Sequence, residues 1–376
     1  MTADESAIKT GKLGFGLMRL PRKGPFTDVE QVKEMVDLFL GAGFTYFDTA
    51  FIYPGSEDTI RQALVERHPR DSYLLATKVN ALVAPTEKSA QNEFFKSLKR
   101  TGAGYFDCYL LHALMENTYA RYDKLHLWDF VAEQKAAGLI KHVGFSFHAG
   151  PELLDRLLTE HPEVDFVQLQ INYADWENPK VTSRANYEVA RAHGKPIVVM
   201  EPVKGGALAN PPKEVQRLFH DYNSNASCAS WALRFVASLD GILTVLSGMS
   251  NTEQMRDNLS FMRDFKPLND DEQAIIRQAQ RILGHSKTIP CTACHYCTED
   301  CPQKIPIPEV FSAYNKELGN GQRREAVQAY AEAVAGRGRA SECIRCRQCE
   351  RACPQHLPIT ELLEKAAAEL EYMNRG

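Results

Sequence analysis

Four side chains with complementary acid–base chemistry stand close behind three short apolar runs. Asp48 follows the run 44–47, and Tyr53 comes five residues later beside a Pro-Gly-Ser turn. Lys78 directly follows the run 72–77, and His112 directly follows the run 106–111. A tyrosine with its ordinary pKa of ~10 is a poor acid–base catalyst near neutrality. An ammonium beside the phenol favours the phenolate and lowers that pKa, and a carboxylate beside the ammonium keeps it charged and in place. A histidine adds a ring nitrogen that can orient an oxygen or relay a proton. Any one of these residues alone reads better as structure: an Asp capping the next helix, a Tyr packed in its loop, a lone His at a strand end. Together they converge on one mouth if the three runs are neighbouring parallel strands, because loops at strand ends carry reactive groups without disturbing the core.

The flanking sequence supplies such strands. Residues 13–16 read as a first strand. Thr27 and Glu30 form a capping box for a helix with Val32, Met35, Val36 and Phe39 on one face. Further strands are predicted near 44–48, 72–77, 106–111, 140–145, 165–171, 196–200 and 242–246. Helices are predicted near 57–67, 87–100, 124–137, 151–160, 181–193, 226–238 and 252–263. Eight strand–helix units of this size predict an α/β fold closed as a (β/α)8 TIM barrel. An open doubly wound sheet is the alternative, weakened by the absence of a Gly-x-Gly-x-x-Gly turn after an early strand. The barrel is expected over 1–265, a connecting helix packed on it over 266–287, and a small helical domain over 288–376, with helices near 308–317, 322–335 and 358–372.

In their contexts the four residues resemble the aldo-keto reductase family. Phe47-Asp48-Thr49-Ala50, Tyr53 with Gly55 and Ser56-Glu57, Ala76-Thr77-Lys78 and Leu110-Leu111-His112 match its catalytic tetrad in order, and the likeness runs over roughly residues 10–265. The resemblance implies carbonyl/alcohol interconversion with NAD(P)(H) on a small carbonyl or alcohol substrate, with Tyr53 as general acid, Lys78 and Asp48 tuning it, and His112 orienting the oxygen. It also implies cofactor contacts: Ser146 and Gln168 to the nicotinamide amide, Glu201, Lys204 and Gly205 in a pyrophosphate loop, and Gly248, Ser250, Gln254 and Asn258 at the adenosine. Two stretches depart from the family pattern. Where NADP-preferring relatives carry basic residues after the eighth strand, this chain has Gly248, Asn251 and Gln254, with Arg256 the nearby cation, which leaves NAD open beside NADP. Pro54 and Ala113-Leu114 also change the substrate mouth.

Eight of the ten cysteines carry a second chemistry. Cys291-x2-Cys294-x2-Cys297-x3-Cys301-Pro302 is followed by Cys343-x2-Cys346-x2-Cys349-x3-Cys353-Pro354. This is the bacterial ferredoxin spacing twice over, in which the fourth Cys of each run ligates the other cluster. The spacing assigns Cys291, Cys294, Cys297 and Cys353 to one [4Fe–4S] cluster, and Cys343, Cys346, Cys349 and Cys301 to a second. Zinc would favour paired thiols, and disulfides an oxidising compartment. Between the motifs, Ala326, Val327, Tyr330, Ala333 and Val334 recur at helical spacing, and the tail resembles the α-helical ferredoxin domains attached to larger redox enzymes. Arg337, Arg339, Arg345, Arg347 and Arg351 crowd the second motif; they balance a negative cluster or, alternatively, offer a face to an acidic redox partner protein. Cys108 and Cys228 are isolated in apolar contexts and read as core.

Composition narrows the rest. At 44% hydrophobic and 24% charged residues with net charge −4, the chain reads as an ordinary soluble globular protein with no call for nucleic acid or an anionic membrane. The start lacks a basic region followed by an apolar run, so a cytoplasmic location is expected. The competing function is an electron-transfer iron–sulfur protein whose barrel binds a nicotinamide or a partner without reducing a carbonyl.

Overall fold

The computed structural model describes residues 8–299 and 301–371. Eight strands, β1 (Leu13–Gly16), β2 (Tyr46–Asp48), β3 (Leu74–Val79), β4 (Phe106–Leu114), β5 (Ile140–Phe147), β6 (Phe166–Gln170), β7 (Ile197–Met200) and β8 (Ile242–Ser247), pair in parallel. β8 returns to pair with β1 and closes the barrel. Most strand residues are buried, as a parallel sheet covered by helices requires. Tyr46, Ala76, Cys108, Leu110, Phe166, Val198 and Leu246 pack together as one apolar cluster of strand side chains, a filled core rather than a pore. Gly144 makes room for Phe166, its register partner: a Cβ there would lie 2.7 Å from the Phe166 ring.

Helices alternate with the strands and bury one face each. α1 (Val29–Gly41) is capped by Asp28, whose carboxylate accepts the Gln31 N–H at 3.2 Å. The predicted cap, Thr27, is instead tied into a short hairpin opposite Arg22, which moves the helix start one residue on. α2 (Ser56–Ile60) continues as a π turn over Arg61–Val65. α3 (Glu87–Thr101) carries the Thr86 cap. The single helix predicted over 124–137 is two, Tyr119–Lys124 and α4 (Leu127–Ala136), because His126 turns left-handed between them. α5 (Pro151–Glu160), α6 (Ser183–Ala192), α7 (Lys213–Tyr222), α8 (Cys228–Ala237), α9 (Thr252–Met262) and α10 (Asp270–Gly284) follow. The hairpin and α7 were not expected from sequence. Cys108 is fully buried as expected, but Cys228 opens α8 only half-buried.

Contacts divide the chain into two compact units. One comprises Met1–Asn178, Thr182–Val203 and Asn225–Ile276; the other comprises Pro179–Val181, Lys204–Ser224 and Arg277–Gly376. The division therefore falls inside α10, and α7 groups with the tail rather than with the barrel. The second unit holds α11 (Ile307–Asn320), α12 (Arg323–Ala333) and α13 (Ile359–Leu370). Its own core is built from Val310, Phe311, Ala326, Tyr330, Leu363 and Ala366 among others. Arg323 ties α12 to α13 through Glu369 at 2.7 Å, and the Tyr330 hydroxyl donates to Glu371.

One barrel carboxyl sits against the grain of its surroundings. Glu93 on α3 is buried and accepts the Asn80 N–H at 2.9 Å, and burial pushes its pKa up to about 7. A raised carboxyl pKa favours the folded state while the group is protonated, so this contribution is lost as pH rises from about 4.5 through about 7. Glu93→Gln keeps an acceptor for Asn80 without the charge. It is expected to stabilise the barrel by roughly 2 kcal/mol at pH 8 and by little at pH 5, measured by denaturant unfolding at both pH values.

Candidate active site and thiol cavities

Barrel closure brings the four predicted residues to one end of adjacent strands. Asp48 ends β2, Lys78 lies near the end of β3, and His112 lies near the end of β4. Lys78 Nζ donates to Asp48 Oδ1 at 2.6 Å and to the Thr49 carbonyl at 2.7 Å. Both side chains are buried, at 1% and 4% exposure. Burial pushes Asp48 up and Lys78 down, and each partner opposes the other's shift by holding it charged. Burial is also the main cause that holds His112 well below the usual imidazole range, with the Lys78 charge next, so its ring is neutral near pH 7. Tyr53 is half-buried in the loop after β2, where Gly55 takes the left-handed turn (φ 71°) that opens α2. Its ring stands edge-on to His112 with centroids 5.9 Å apart, and Lys78 Nζ lies 5.4 Å from its centroid. Tyr53 is thus the most exposed of the four.

Several supporting groups carried no sequence signal. The Tyr122 hydroxyl, from the short helix 119–124, donates to the His112 carbonyl. Ala113 adopts φ 55°, and its N–H donates to Ser146 Oγ at 2.7 Å, which fixes the bend directly after His112. Ser146 therefore holds the His112 turn, with its own hydroxyl hydrogen left to donate. A buried knot follows β6, where Asn172 Nδ2 donates to Asp175 at 2.9 Å and to the Glu201 carbonyl at 3.2 Å.

The other predicted cofactor residues fall into three kinds. Gln168 is buried on β6, its side chain acts on Asp48, and its Oε1 accepts no hydrogen bond. Glu201 takes φ 56°, with one carboxylate oxygen 3.4 Å from Arg19 and the other buried without a hydrogen bond. After β8, Asn251 caps α9 through the Gln254 N–H, and the Gln254 side chain accepts the Ser250 N–H at 2.7 Å, while the Ser250 hydroxyl donates to the Gly248 carbonyl. Asn258 is turned inward, donating to Ser247 Oγ at 2.7 Å. Arg256 is exposed and ion-paired with Glu34 at 3.0 Å. Lys204 and Gly205 lie in the second unit, both left-handed. A Cβ on Gly205 would lie 2.4 Å from the Thr292 carbonyl oxygen, so only glycine fits that turn.

The eight clustered thiols sort themselves between two cavities. Cys291, Cys294, Cys297 and Cys353 line one; Cys301, Cys343, Cys346 and Cys349 line the other. The remaining walls are largely apolar, including Phe311 and Leu357 in the first and Ile305 and Leu363 in the second. The two motifs share one backbone trace. Left-handed residues at Ala293, His295 and Lys304 recur at Arg345, Arg347 and His356. Burial, then the neighbouring thiolates, push Cys297 up, and burial followed by Cys343 raises Cys349 to about 12. Four thiolates in such a pocket need positive charge to be stable, which a bound iron–sulfur body supplies. The sulfurs ring a volume, and among the described residues no three metal-ligating side chains close on a single ion.

A closed parallel barrel with its ionisable groups at the C-terminal strand ends defines the first unit as a (β/α)8-barrel protein of the kind that hosts catalytic sites there. The chain belongs to the aldo/keto reductase family, whose profile matches residues 12–281; the profile of a 4Fe-4S dicluster domain matches residues 290–357. An aldo-keto reductase of Strobilurus tenacellus is 30% identical over 218 residues, 54% of this chain and 61% of its own length, so the match spans under two thirds of that relative. The NAD/NADP-dependent indole-3-acetaldehyde reductase of Schizosaccharomyces pombe is 26% identical over 62% of this chain and 78% of its own. The tail resembles a short part of the acetyl-CoA decarbonylase/synthase complex subunit alpha 1 of Methanosarcina barkeri, at 31% identity over 20% of this chain and 8% of that one. Among solved structures, an aldo-keto reductase from Klebsiella pneumoniae in complex with NADP and acetate overlays with TM-score 0.58 at 19% identity, covering 72% of this chain and 91% of its own. The holo form of an aldo-keto reductase from Bacillus halodurans gives 0.57 at 23% identity, covering 72% and 92%. The barrel and helical tail agree with the fold expected from sequence.

Proposed function

We propose that this chain interconverts a carbonyl and an alcohol with NAD(P)(H), and that its tail holds two [4Fe–4S] clusters. The observation that carries the catalytic reading is the buried Lys78–Asp48 pair standing 5.4 Å from the Tyr53 ring centroid. A nicotinamide bound at the mouth supplies or accepts the hydride. Tyr53 gives the proton to the carbonyl oxygen, and the nearby Lys78 charge favours the phenolate that remains. Asp48 keeps Lys78 charged and aimed. His112, neutral and fixed by the turn at Ala113, orients the same oxygen. The unsatisfied Gln168 oxygen suits the nicotinamide amide, with Ser146 beside it on the neighbouring strand. Glu201, Lys204 and Gly205 keep the pyrophosphate role, and Gly248, Ser250 and Gln254 the adenosine role, with Asn258 acting through Ser247.

Crossed ligation is supported by the membership of the two cavities, each taking three thiols from one motif and one from the other. Oxygen-labile clusters and eight reduced thiols suit the cytoplasm. Among the described residues no helix is long and apolar enough to cross a membrane.

Tyr53→Phe removes the acid and keeps the ring. Turnover of reducible carbonyls is expected to fall by about 10²-fold or more with nicotinamide binding nearly unchanged, and Lys78→Met should flatten the acid–base features of the pH–rate profile. Full turnover in the phenylalanine variant would overturn the tetrad.

Because Arg256 is engaged by Glu34, fluorescence titration is expected to find NADPH and NADH affinities within ~100-fold, about 2.7 kcal/mol, of one another. A larger preference for NADPH would make Arg256 or Lys204 a phosphate clamp.

Cys346→Ser strikes one cluster and loosens the scaffold of the other. Iron in anaerobically prepared protein should fall from about eight per chain to about four or fewer. Eight irons retained in the variant, or tightly bound zinc in the parent, would rule the assignment out.

A further inference from the structure

The two cysteine motifs are equivalent in backbone and opposite in surroundings. Matching them by their left-handed residues places Thr292 opposite Ile344, Ala293 opposite Arg345, and His295 opposite Arg347. Thr292 is 3% exposed, covered within the second unit by the Gly205 turn that approaches its backbone. Ile344 is 59% exposed, the most exposed large hydrophobic of that unit among the described residues. Cys346 is also exposed, whereas its counterpart Cys294 is half-buried. One rim is therefore covered and the other open.

The open rim is also cationic. Arg337, Arg339, Arg345, Arg347 and Arg351 are all exposed. Against them stand Glu342 on the same stretch, Glu350 at 3.8 Å from Arg347, Glu364 at 2.7 Å from Arg345, and Glu371, which accepts from Ser341 and interacts with Arg339. Five positive charges against four acids leave a local surplus of one on a chain whose net charge is −4. Charge balance for a cluster does not account for an exposed isoleucine beside Arg345 and Arg347, or for a thiol ligand reaching solvent. An exposed apolar residue among cations suits a transient redox encounter with an anionic protein, because charge steers the approach and a little desolvated apolar area seats it.

We propose that the face formed by Ile344, Arg345, Cys346 and Arg347 is the docking site of an acidic one-electron carrier protein, which reduces the cluster held by Cys301, Cys343, Cys346 and Cys349. The step rests on the two-cluster reading. The reduced carrier loses one electron and the oxidised cluster gains it; no proton or bond changes hands.

The test uses the full chain with reconstituted clusters and a chemically reduced, acidic [2Fe–2S] ferredoxin as the probe. Cluster bleaching is followed by stopped flow, with reduced methyl viologen as a small cationic donor for comparison. An Arg337→Glu/Arg339→Glu variant, which alters the cationic rim away from the turns that hold the thiols, is expected to slow ferredoxin-driven reduction about tenfold or more, with iron content and the dithionite-reduced EPR signal unchanged and the viologen rate not lowered. Reduction of the parent protein should slow as salt rises from low ionic strength. Ile344→Glu, which leaves the arginines in place, should slow the same step. An unchanged ferredoxin rate in the charge variant, a salt-independent rate in the parent, or an equal fall with viologen would each overturn the proposal. A dimer of the parent that Ile344→Glu dissolves would give the face to a second copy and overturn it as well. Absence of any [4Fe–4S] EPR signal in the parent would instead refute the cluster reading.

Discussion

The barrel site depends on one buried ion pair. Taking Lys78 and Asp48 out of water costs several kcal/mol per ion, which their attraction recovers only if the geometry is close and the spare hydrogen bonds are met. Here Lys78 spends two donors, on Asp48 Oδ1 and on the Thr49 carbonyl, at 2.6 and 2.7 Å. That carbonyl directly follows Asp48, so acceptor and counter-ion are delivered together by the end of one strand. Strand register then does the aiming. Asp48 pairs with Ala76 and Lys78 with Leu110, which staggers the cation two residues above the carboxylate's own rung. Removing Asp48 would leave a buried, unmatched ammonium, and the lysine would deprotonate rather than support the phenolate.

The tail solves the reverse problem. Its thiols crowd one another: burial first, and then the neighbouring cysteines, push the Cys297 and Cys349 pKa values up. The chain instead supplies shape: six left-handed residues, three per motif, bend the backbone around each cavity. Left-handed conformation in non-glycine residues costs roughly 1–2 kcal/mol each, and such turns expose successive N–H groups to an anion at their centre. A cluster held by these thiols would supply stability that offsets this strain, since apolar walls alone do not neutralise four thiolates.

Sequence reasoning reached the two sites unequally, for physical reasons. The thiol cavities were readable because cluster geometry imposes local spacing, two residues between ligands and a proline after the fourth. The tetrad was readable because strand ends are marked by apolar runs, and one polar residue after each run is conspicuous. Boundaries were less so: Lys78 and His112 lie within β3 and β4, since the strands continue past the first polar side chain when it points into a closed mouth. Ser146 and Asn258 are cofactor contacts only as the family resemblance implies them. Their hydrogen bonds to Ala113 and Ser247 come from strand and helix neighbours that only the closed barrel defines. The hairpin at 22–27 is too short to carry a periodic signal, whereas α7 is amphipathic, burying Val215 and Phe219 four residues apart, but stands outside the strand–helix alternation.

The Gly205 turn shows how these constraints meet within the second unit. Segment 204–224 leaves the chain between β7 and α8, yet packs with the cysteine tail, and at Gly205 the two backbones approach too closely for any Cβ. A larger residue there must displace the backbone at Thr292, between the first two thiols of the motif, and thereby disturb the cavity those thiols line. Lys204, buried beside it and also left-handed, cannot relax independently of that contact. The geometry of residues 204–206 is therefore set by the thiol motif as much as by the strand that precedes them. The Lys78–Asp48 pair, by contrast, is built wholly within the barrel unit.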